Sequence, residues 1–233
     1  MNKDVIIACD FNSQAEVMDF LDMFPEEKPY VKIGMELFYS SGPEIVQKIK
    51  ERGHKIFLDL KLCDIPNTVK KSMSVLSKLN VDMCNLHAFG GSKMMQGAIE
   101  GLTRPDGTRP LLIAVTQLTS TSEELMQNEL KINMPLKEVV LSYAENAKNS
   151  GLDGVVCSPL EAQAVHERCG SSFLTVTPGI RFAGGDVGDQ VRITTPEQAA
   201  KIGSDYIVVG RPITAAENPL ASYRRCVADF LGK

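Results

Sequence analysis

Short apolar runs alternate with amphipathic stretches along the whole chain. Each run is followed by a segment in which apolar residues recur at the three- and four-residue spacing of a helix. Such runs are typical of strands that are buried on both faces, and their alternation with helices predicts a parallel sheet covered by helices. The predicted strands are residues 5–8, 30–35, 55–61, 81–87, 111–118, 154–157, 173–176 and 206–209.

Helix signals follow these runs. Ser13 offers an N-cap, and Glu16 stands three residues later as in a capping box. Gly42 and Pro43 open a helix that ends near Gly53. The other predicted helices cover residues 65–79, 92–99 and 135–149 or begin at residues 159, 196 and about 214.

Eight strand–helix units predict a (β/α)8 TIM barrel, because an eightfold count closes most naturally into a barrel. The length of 233 residues suits a single domain over residues 1–233, and no linker or low-complexity segment divides the chain. A doubly wound open sheet is the alternative architecture. It is disfavoured because a G-x-G-x-x-G phosphate fingerprint is missing after the first strand.

Composition narrows the functional classes. A net charge of -4 provides no basic field for nucleic acid, and no apolar run approaches the length of a membrane span. Six scattered cysteines without a CxxC pair, and an amino terminus that enters a strand directly, predict the reducing cytoplasm. The three histidines lie far apart in sequence, so we expect no metal site.

Charged residues stand where an apolar strand ends, in the stretch IFLDLKLCDIPNT. Asp59 and Lys61 are two residues apart, so they share a face of an extended segment, and Asp64 follows at the turn. Removing three ionisable groups from water at one strand end is unfavourable unless each has a partner of opposite charge or a hydrogen bond. The pattern indicates a catalytic charge cluster, and a structural ion pair is the alternative.

Polar residues follow other strands as well, and in a barrel the carboxyl ends of all strands meet on one face. The glycine-rich loop after the seventh predicted strand carries Arg181, Gln190 and Arg192, and Gly210-Arg211 follows the eighth. Barrels often bind phosphate in these two loops, and arginine can hold phosphate through two hydrogen bonds. An incidental surface loop is the alternative. The candidate rim residues at strand ends are Asp10, Lys32, Asp59, Lys61, Thr119, Arg181 and Arg211.

These motifs together resemble those of the orotidine 5'-phosphate decarboxylase family, whose members make UMP from orotidine monophosphate. The shorter D-x-K-x-x-D pattern is shared with sugar-phosphate decarboxylases and hexulose-phosphate synthases. With Asp10 and Lys32, the matching motifs cover essentially the whole chain. They are DxKxxDIPNT from Asp59, TPGIR from Thr177, DQxR from Asp189 and VGRP from Val209.

The resemblance implies cofactor-free decarboxylation with Lys61 as the proton donor to C6 of the pyrimidine and Asp59 beside the substrate carboxylate. Lys32 and Asp64 complete the implied catalytic set. It also implies a homodimer in which Asp64 and Thr68 reach into the partner's site. The implied substrate contacts are Asp10 and Lys32 at the ribose, Thr119 and Pro178 at the base, and Arg181, Gln190, Gly210 and Arg211 at the phosphate.

Two other functions are compatible with parts of the sequence. One is a metal-dependent sugar-phosphate decarboxylase or aldolase whose carboxylates hold Mg²⁺, but the IPNT continuation and the GIR segment argue against it. The other is a non-catalytic sensor of a phosphate ligand. It is disfavoured because Asp59, Lys61 and Asp64 are all present, and a protein that has lost catalytic activity has no need of such a charged cluster.

Overall fold

Eight parallel strands form a closed barrel in chain order, which confirms the predicted (β/α)8 fold. The structure is a computed structural model that describes residues 3–183 and 193–232. The strands are β1 Asp4–Cys9, β2 Tyr30–Gly34, β3 Ile56–Leu62, β4 Met83–His87, β5 Leu111–Val115, β6 Gly154–Val156, β7 Leu174–Thr177 and β8 Tyr206–Val209.

Helices cover the outside of the barrel, and no helix in the described ranges is long and apolar enough to cross a membrane. Their bounds are α1 Gln14–Asp22, α2 Met35–Ser41, α3 Glu44–Glu51, α4 Pro66–Leu76, α5 Gly91–Leu102, α6 Glu123–Asn128, α7 Leu136–Asn149, α8 Ala162–Cys169, α9 Pro196–Ile202, α10 Arg211–Thr214 and α11 Pro219–Leu231.

Most of these elements match the sequence predictions, and the differences lie at boundaries and in two short helices, α2 and α6. The Ser13 side chain accepts a hydrogen bond from the Glu16 N–H, which confirms the N-cap of α1. The predicted second strand ran one residue too far, because α2 begins directly at Met35 and its apolar residues continue the pattern. The fifth strand ends at Val115 instead of residue 118, and α6 was not predicted.

Alternate residues of each strand face two different cores. In β1, Val5, Ile7 and Cys9 pack outward against the helices, whereas Ile6 and Ala8 face the barrel axis. This is the two-residue period expected of strands covered on both sides. The residues that fill the axis are Ile6, Ala8, Tyr30, Phe57, Met83, Ile113, Val176, Tyr206 and Val208.

Three aspartates fasten the base of the barrel, where the strands begin. Asp82, Asp153 and Asp205 each directly precede an even-numbered strand, β4, β6 or β8. Each carboxylate accepts a backbone N–H from the odd-numbered strand before it, so adjacent strands are joined at their starts. The donors are Ile56 at 2.7 Å, Leu112 at 2.7 Å and Thr175 at 2.8 Å.

We expect Asp205→Ala to lower the free energy of unfolding by about 3 kcal/mol, measured by urea denaturation. The carboxylate is buried, and its removal leaves the Thr175 N–H without that acceptor and His166 without its partner at 3.0 Å. The control is Asp22→Ala, which breaks an exposed ion pair with Arg52 and should cost under about 1 kcal/mol. Equal losses in the two variants would contradict this account of the barrel base.

Candidate active site

The polar rim residues continue the inward-facing series of the strands. Asp10 lies two residues after Ala8 of β1, and Lys32 lies two residues after Tyr30 of β2. Asp59 follows Phe57 in β3 by the same step. The same two-residue period that fills the axis with apolar side chains therefore brings these charged groups together at its carboxyl end.

A continuous chain of charges crosses this rim. The Lys61 ammonium Nζ lies 2.7 Å from Asp59 Oδ1, and the Lys32 Nζ lies 3.4 Å from Asp59 Oδ2 and 2.7 Å from Asp10 Oδ1. The side chains of Lys32 and Asp59 are only 10% and 11% exposed, whereas that of Asp10 is 56% exposed. Of the predicted rim residues, Asp10, Lys32, Asp59 and Lys61 thus form a charge cluster within one chain.

The backbone beneath Lys61 departs from a regular strand. Lys61 has φ 50°, in the left-handed region that side chains other than glycine seldom adopt. The Asn85 side chain of β4 accepts the Lys61 backbone N–H at 2.8 Å and donates its amide N–H to Asp59 Oδ1 at 2.7 Å. The expected contact between Asp59 and Lys61 is therefore present, but an irregular backbone supports it instead of the simple alternation of a strand.

The charges of the cluster set the protonation of Lys32. Burial by itself disfavours the ammonium, but the negative charges of Asp59 and Asp10 outweigh it, so the pKa of Lys32 is raised above its ordinary value. His87, at the end of β4, behaves in the opposite way. Burial and then the positive charge of Lys61 lower the pKa of His87, which favours the neutral imidazole.

Two adjoining cavities open beside the cluster. The first, the base cavity, has a volume of about 430 Å³ and is lined by Asp59, Lys61, Thr119 and Pro178. The second, the arginine cavity, has a volume of about 500 Å³, and its lining includes Pro178, Gly179, Arg181, Gly210 and Arg211. Asp10, Lys32, Pro178 and Val208 line both cavities, so a single elongated ligand can reach from one to the other.

The loop that contributes Arg181 is fastened at its base. Arg181 N–H donates to the Thr194 carbonyl at 2.9 Å, and Thr194 N–H donates to the Gly179 carbonyl at 3.1 Å. The next residue, Phe182, lies beneath the guanidinium of Arg225 of α11, with 4.4 Å between the Arg225 Cζ and the ring centre. Gln190 and Arg192, also predicted in this loop, lie outside the described residues.

Asp64 and Thr68 line a third cavity of about 480 Å³, and Lys61 forms part of its wall. Both side chains are exposed, and the Asp64 carboxylate accepts the Ile65 backbone N–H at 2.6 Å. In the described part of the chain no ion pair joins Asp64 to Lys61. Within one chain, Asp64 is therefore not part of the cluster around Asp59, contrary to the sequence pattern that grouped the two.

Sequence reasoning missed two residues of the site. Asn85 is a fully buried polar residue inside the apolar strand MCNLH, and that interruption was a signal that could have identified it. Gly34 has a subtler role, because a Cβ there would lie 2.9 Å from Asp10 Oδ1 and 3.1 Å from Lys32 Nζ. Glycine at the end of β2 therefore leaves room for the ion pair.

Ligands for a metal ion are not clustered in the described ranges. Across residues 3–183 and 193–232, no three side chains of His, Cys, Asp or Glu come close enough together to hold one. The chemistry that the site offers through these residues is that of fixed ammonium groups beside carboxylates. Such groups stabilise a developing negative charge and can transfer a proton.

Comparisons with known proteins show which family the chain is similar to. Residues 3–226 match the sequence model of the Orotidine 5'-phosphate decarboxylase / HUMPS family. Relatives named orotidine 5'-phosphate decarboxylase are 58% identical in Bacillus cereus (strain G9842) and 54% identical in Geobacillus sp. (strain WCH70), each over 100% of this chain and 99% of the relative. The crystal structure of orotidine 5'-phosphate decarboxylase from Lactobacillus acidophilus is 43% identical, with a TM-score of 0.87 over 98% of this chain and 99% of that chain.

We expect the raised pKa of Lys32 to appear as a dependence of stability on alkaline pH. The contribution of a group with a raised pKa is complete below its unfolded value of about 10.4 and is lost as pH rises through the higher folded value. Urea denaturation between about pH 10 and pH 12 should show a steeper loss for the native protein than for Lys32→Met, by up to about 1 kcal/mol per pH unit. Exposed Lys71→Met serves as the control. Parallel pH curves for Lys32→Met and the native protein would contradict the assignment.

Proposed function

The chain belongs to the orotidine 5'-phosphate decarboxylase / HUMPS family, and we propose that its reaction, the loss of CO2 from orotidine 5'-monophosphate to give UMP, depends on the Lys61 ammonium. This carboxy-lyase reaction is a step of pyrimidine nucleotide synthesis. The observation that supports the role of Lys61 is its ion pair with Asp59 at 2.7 Å, at the wall of the base cavity.

The difficult step is the cleavage of the bond between C6 of the pyrimidine and its carboxylate. The electron pair of that bond stays on C6, in an orbital that the ring cannot delocalise, so a fixed positive charge beside C6 lowers the barrier. Asp59 holds the Lys61 ammonium in place before the reaction begins. CO2 leaves, the C6 electron pair takes a proton from Lys61 Nζ, and Lys61 later regains a proton from solvent.

Asp59 has a second role in this proposal. The substrate carboxylate is placed beside the Asp59 carboxylate, and this like-charge contact exists only until neutral CO2 departs. Lys32 and Lys61 flank Asp59, at 3.4 Å and 2.7 Å from its two carboxylate oxygens. The repulsion therefore acts on the bound substrate and not on the transition state.

The remaining contacts follow the two adjoining cavities. We assign the base to Thr119 and Pro178 in the base cavity, and the ribose to Asp10 and Lys32, which line both cavities. The phosphate then reaches the arginine cavity. There its binding energy offsets the cost of assembling the charges around the reacting carbon, so a substrate without phosphate loses turnover as well as affinity. The phosphate contacts that we assign are Arg181, Gln190, Gly210 and Arg211, of which Gln190 lies outside the described residues.

We further propose a homodimer in which Asp64 and Thr68 of the partner subunit complete each site. Three features support it. Both side chains are exposed, they line a cavity that shares Lys61 with the base cavity, and the apolar side chains of Tyr39 and Ile65 nearby are 70% and 67% exposed. An ion pair between Lys61 and Asp64 of the partner subunit would give the ammonium an acid on each side.

The proposal treats residues 1–233 as one catalytic domain that acts in the cytoplasm without a cofactor, a metal ion, nucleic acid or a membrane. The site draws on strands from β1 to β8, which supports a single unit. All six cysteines lie in the described ranges, none of them forms a disulfide, and five of them are buried, which suits a reducing compartment.

We expect Lys61→Ala to lower kcat for orotidine 5'-monophosphate by about 10⁴-fold or more, because the variant lacks both the charge beside C6 and the proton donor. The measurement is the loss of orotate absorbance, with binding of UMP followed separately. Lys71→Ala on exposed surface should retain native turnover. Native turnover in Lys61→Ala would refute the proton-donor role, and loss of native activity in excess chelator would favour a metal-dependent reaction.

The shared site can be tested with mixed dimers of Lys61→Ala and Asp64→Ala. Each variant alone should be nearly inactive, because both of its sites are defective. After the two are unfolded together and refolded at equal concentration, about half of the dimers carry one intact site, so about a quarter of native activity should return. If no activity returns although mixed dimers form, Asp64 does not act across the interface.

A further inference from the structure

Strand β3 carries extra residues where it passes the site. Leu58 pairs with Cys84 and Leu62 pairs with Leu86, so residues 59–61 of β3 lie opposite Asn85 alone on β4. Such a bulge leaves backbone groups of the longer strand without ladder partners and redirects its side chains. The bulged residues include Asp59 and Lys61, the two groups on which the proposed reaction depends.

The Asn85 side chain occupies the gap and bonds much as a backbone peptide group does. Its Oδ1 accepts the Lys61 backbone N–H at 2.8 Å, and its Nδ2 donates to Asp59 Oδ1 at 2.7 Å. The same Asp59 oxygen accepts the Lys61 Nζ at 2.7 Å. One amide therefore ties the carboxylate, the lysine backbone and, through the carboxylate, the lysine ammonium into a closed ring of hydrogen bonds.

We propose that Asn85 is a positioning residue for decarboxylation, which fixes the Lys61 ammonium by holding both its backbone and its carboxylate partner. The inference rests on the proposed roles of Lys61 and Asp59. Asn85 is fully buried and does not line the base cavity, so it acts on the substrate only through these two residues. A lysine side chain has many rotamers, and holding both of its ends selects the one that points at C6.

The residue type follows from the two bonds. The position must accept one hydrogen bond and donate another in a place without water, and a primary amide does both while uncharged. Leucine or alanine would leave the Lys61 N–H without that acceptor, and a carboxylate would set a like charge against Asp59. Asn85 also lets Lys61 keep a left-handed backbone, because the bond to its N–H stabilises that conformation.

The first test is Asn85→Ala, assayed with orotidine 5'-monophosphate. We expect kcat to fall about 10²-fold, as for a small misplacement of a catalytic group, whereas the affinity for UMP changes less than about threefold. The matched control is Thr116→Val, which removes the hydroxyl of a buried residue just beyond β5 that bonds the Val156 carbonyl and does not line the base cavity. It should keep native kcat at a comparable loss of stability.

The second test is Asn85→Asp, which keeps the acceptor but supplies a donor only when the introduced carboxyl is protonated. The ratio of its kcat to the native value should rise as pH falls, whereas the same ratio for Asn85→Ala should stay constant with pH. A purely structural contribution of Asn85 to packing would not produce this difference between the two variants. A ratio for Asn85→Asp that stays as low as that of Asn85→Ala at every pH would therefore count against the positioning role.

A crystal structure of Asn85→Ala gives a result that does not depend on turnover. We expect Lys61 to leave the left-handed region and its Nζ to move beyond hydrogen-bond distance of Asp59. If Lys61 and Asp59 keep their geometry, or if kcat stays within about twofold of native, the inference is overturned. If the native protein fails to decarboxylate orotidine 5'-monophosphate, the proposed function fails, and the crystal structure still decides whether Asn85 positions Lys61.

Discussion

A single carboxylate, that of Asp59, organises the mouth of this barrel. It lies between two ammonium groups and accepts a hydrogen bond from a buried amide. A buried negative charge is unfavourable unless its partners are close and well oriented, so each neighbour of Asp59 is held in a defined position. The cations that neutralise Asp59 are thereby fixed before any substrate arrives, and this is the condition for electrostatic catalysis without reorganisation.

Much of the fold and half of the site could be predicted from the sequence, because both depend on the two-residue period of strands. Asp10, Lys32 and Asp59 continue that period beyond the apolar residues of their strands, so their meeting follows from barrel closure alone. Asn85 could be noticed as a polar residue inside an apolar strand, but its contribution to the site could not be predicted in this way. It depends on a bulge between β3 and β4, and a bulge is set by tertiary pairing that no local pattern encodes.

The end of the second strand was also wrong in the prediction, because a local pattern did not mark it. The second strand gives way to α2 at Gly34 with no polar break, so the apolar pattern could not mark the change. The ion pair requires a glycine at position 34, because a side chain there would displace Asp10 or Lys32. Asp64 is a different case, since its expected position beside Lys61 involves a second molecule, and the residue pattern of one chain cannot show where that molecule lies.

The filled axis of the barrel has a consequence for proton supply. Large side chains such as Tyr30, Phe57 and Tyr206 pack across the axis below Asp59 and Lys61, and interiors of this kind exclude water. In the proposed reaction Lys61 gives up its proton, and because the axis below it is filled, it would regain a proton from solvent at the mouth of the barrel, the side by which the nucleotide would enter. In that reaction the departure of UMP and the reprotonation of Lys61 would use the same opening, which would link the recovery of the acid to the release of the product.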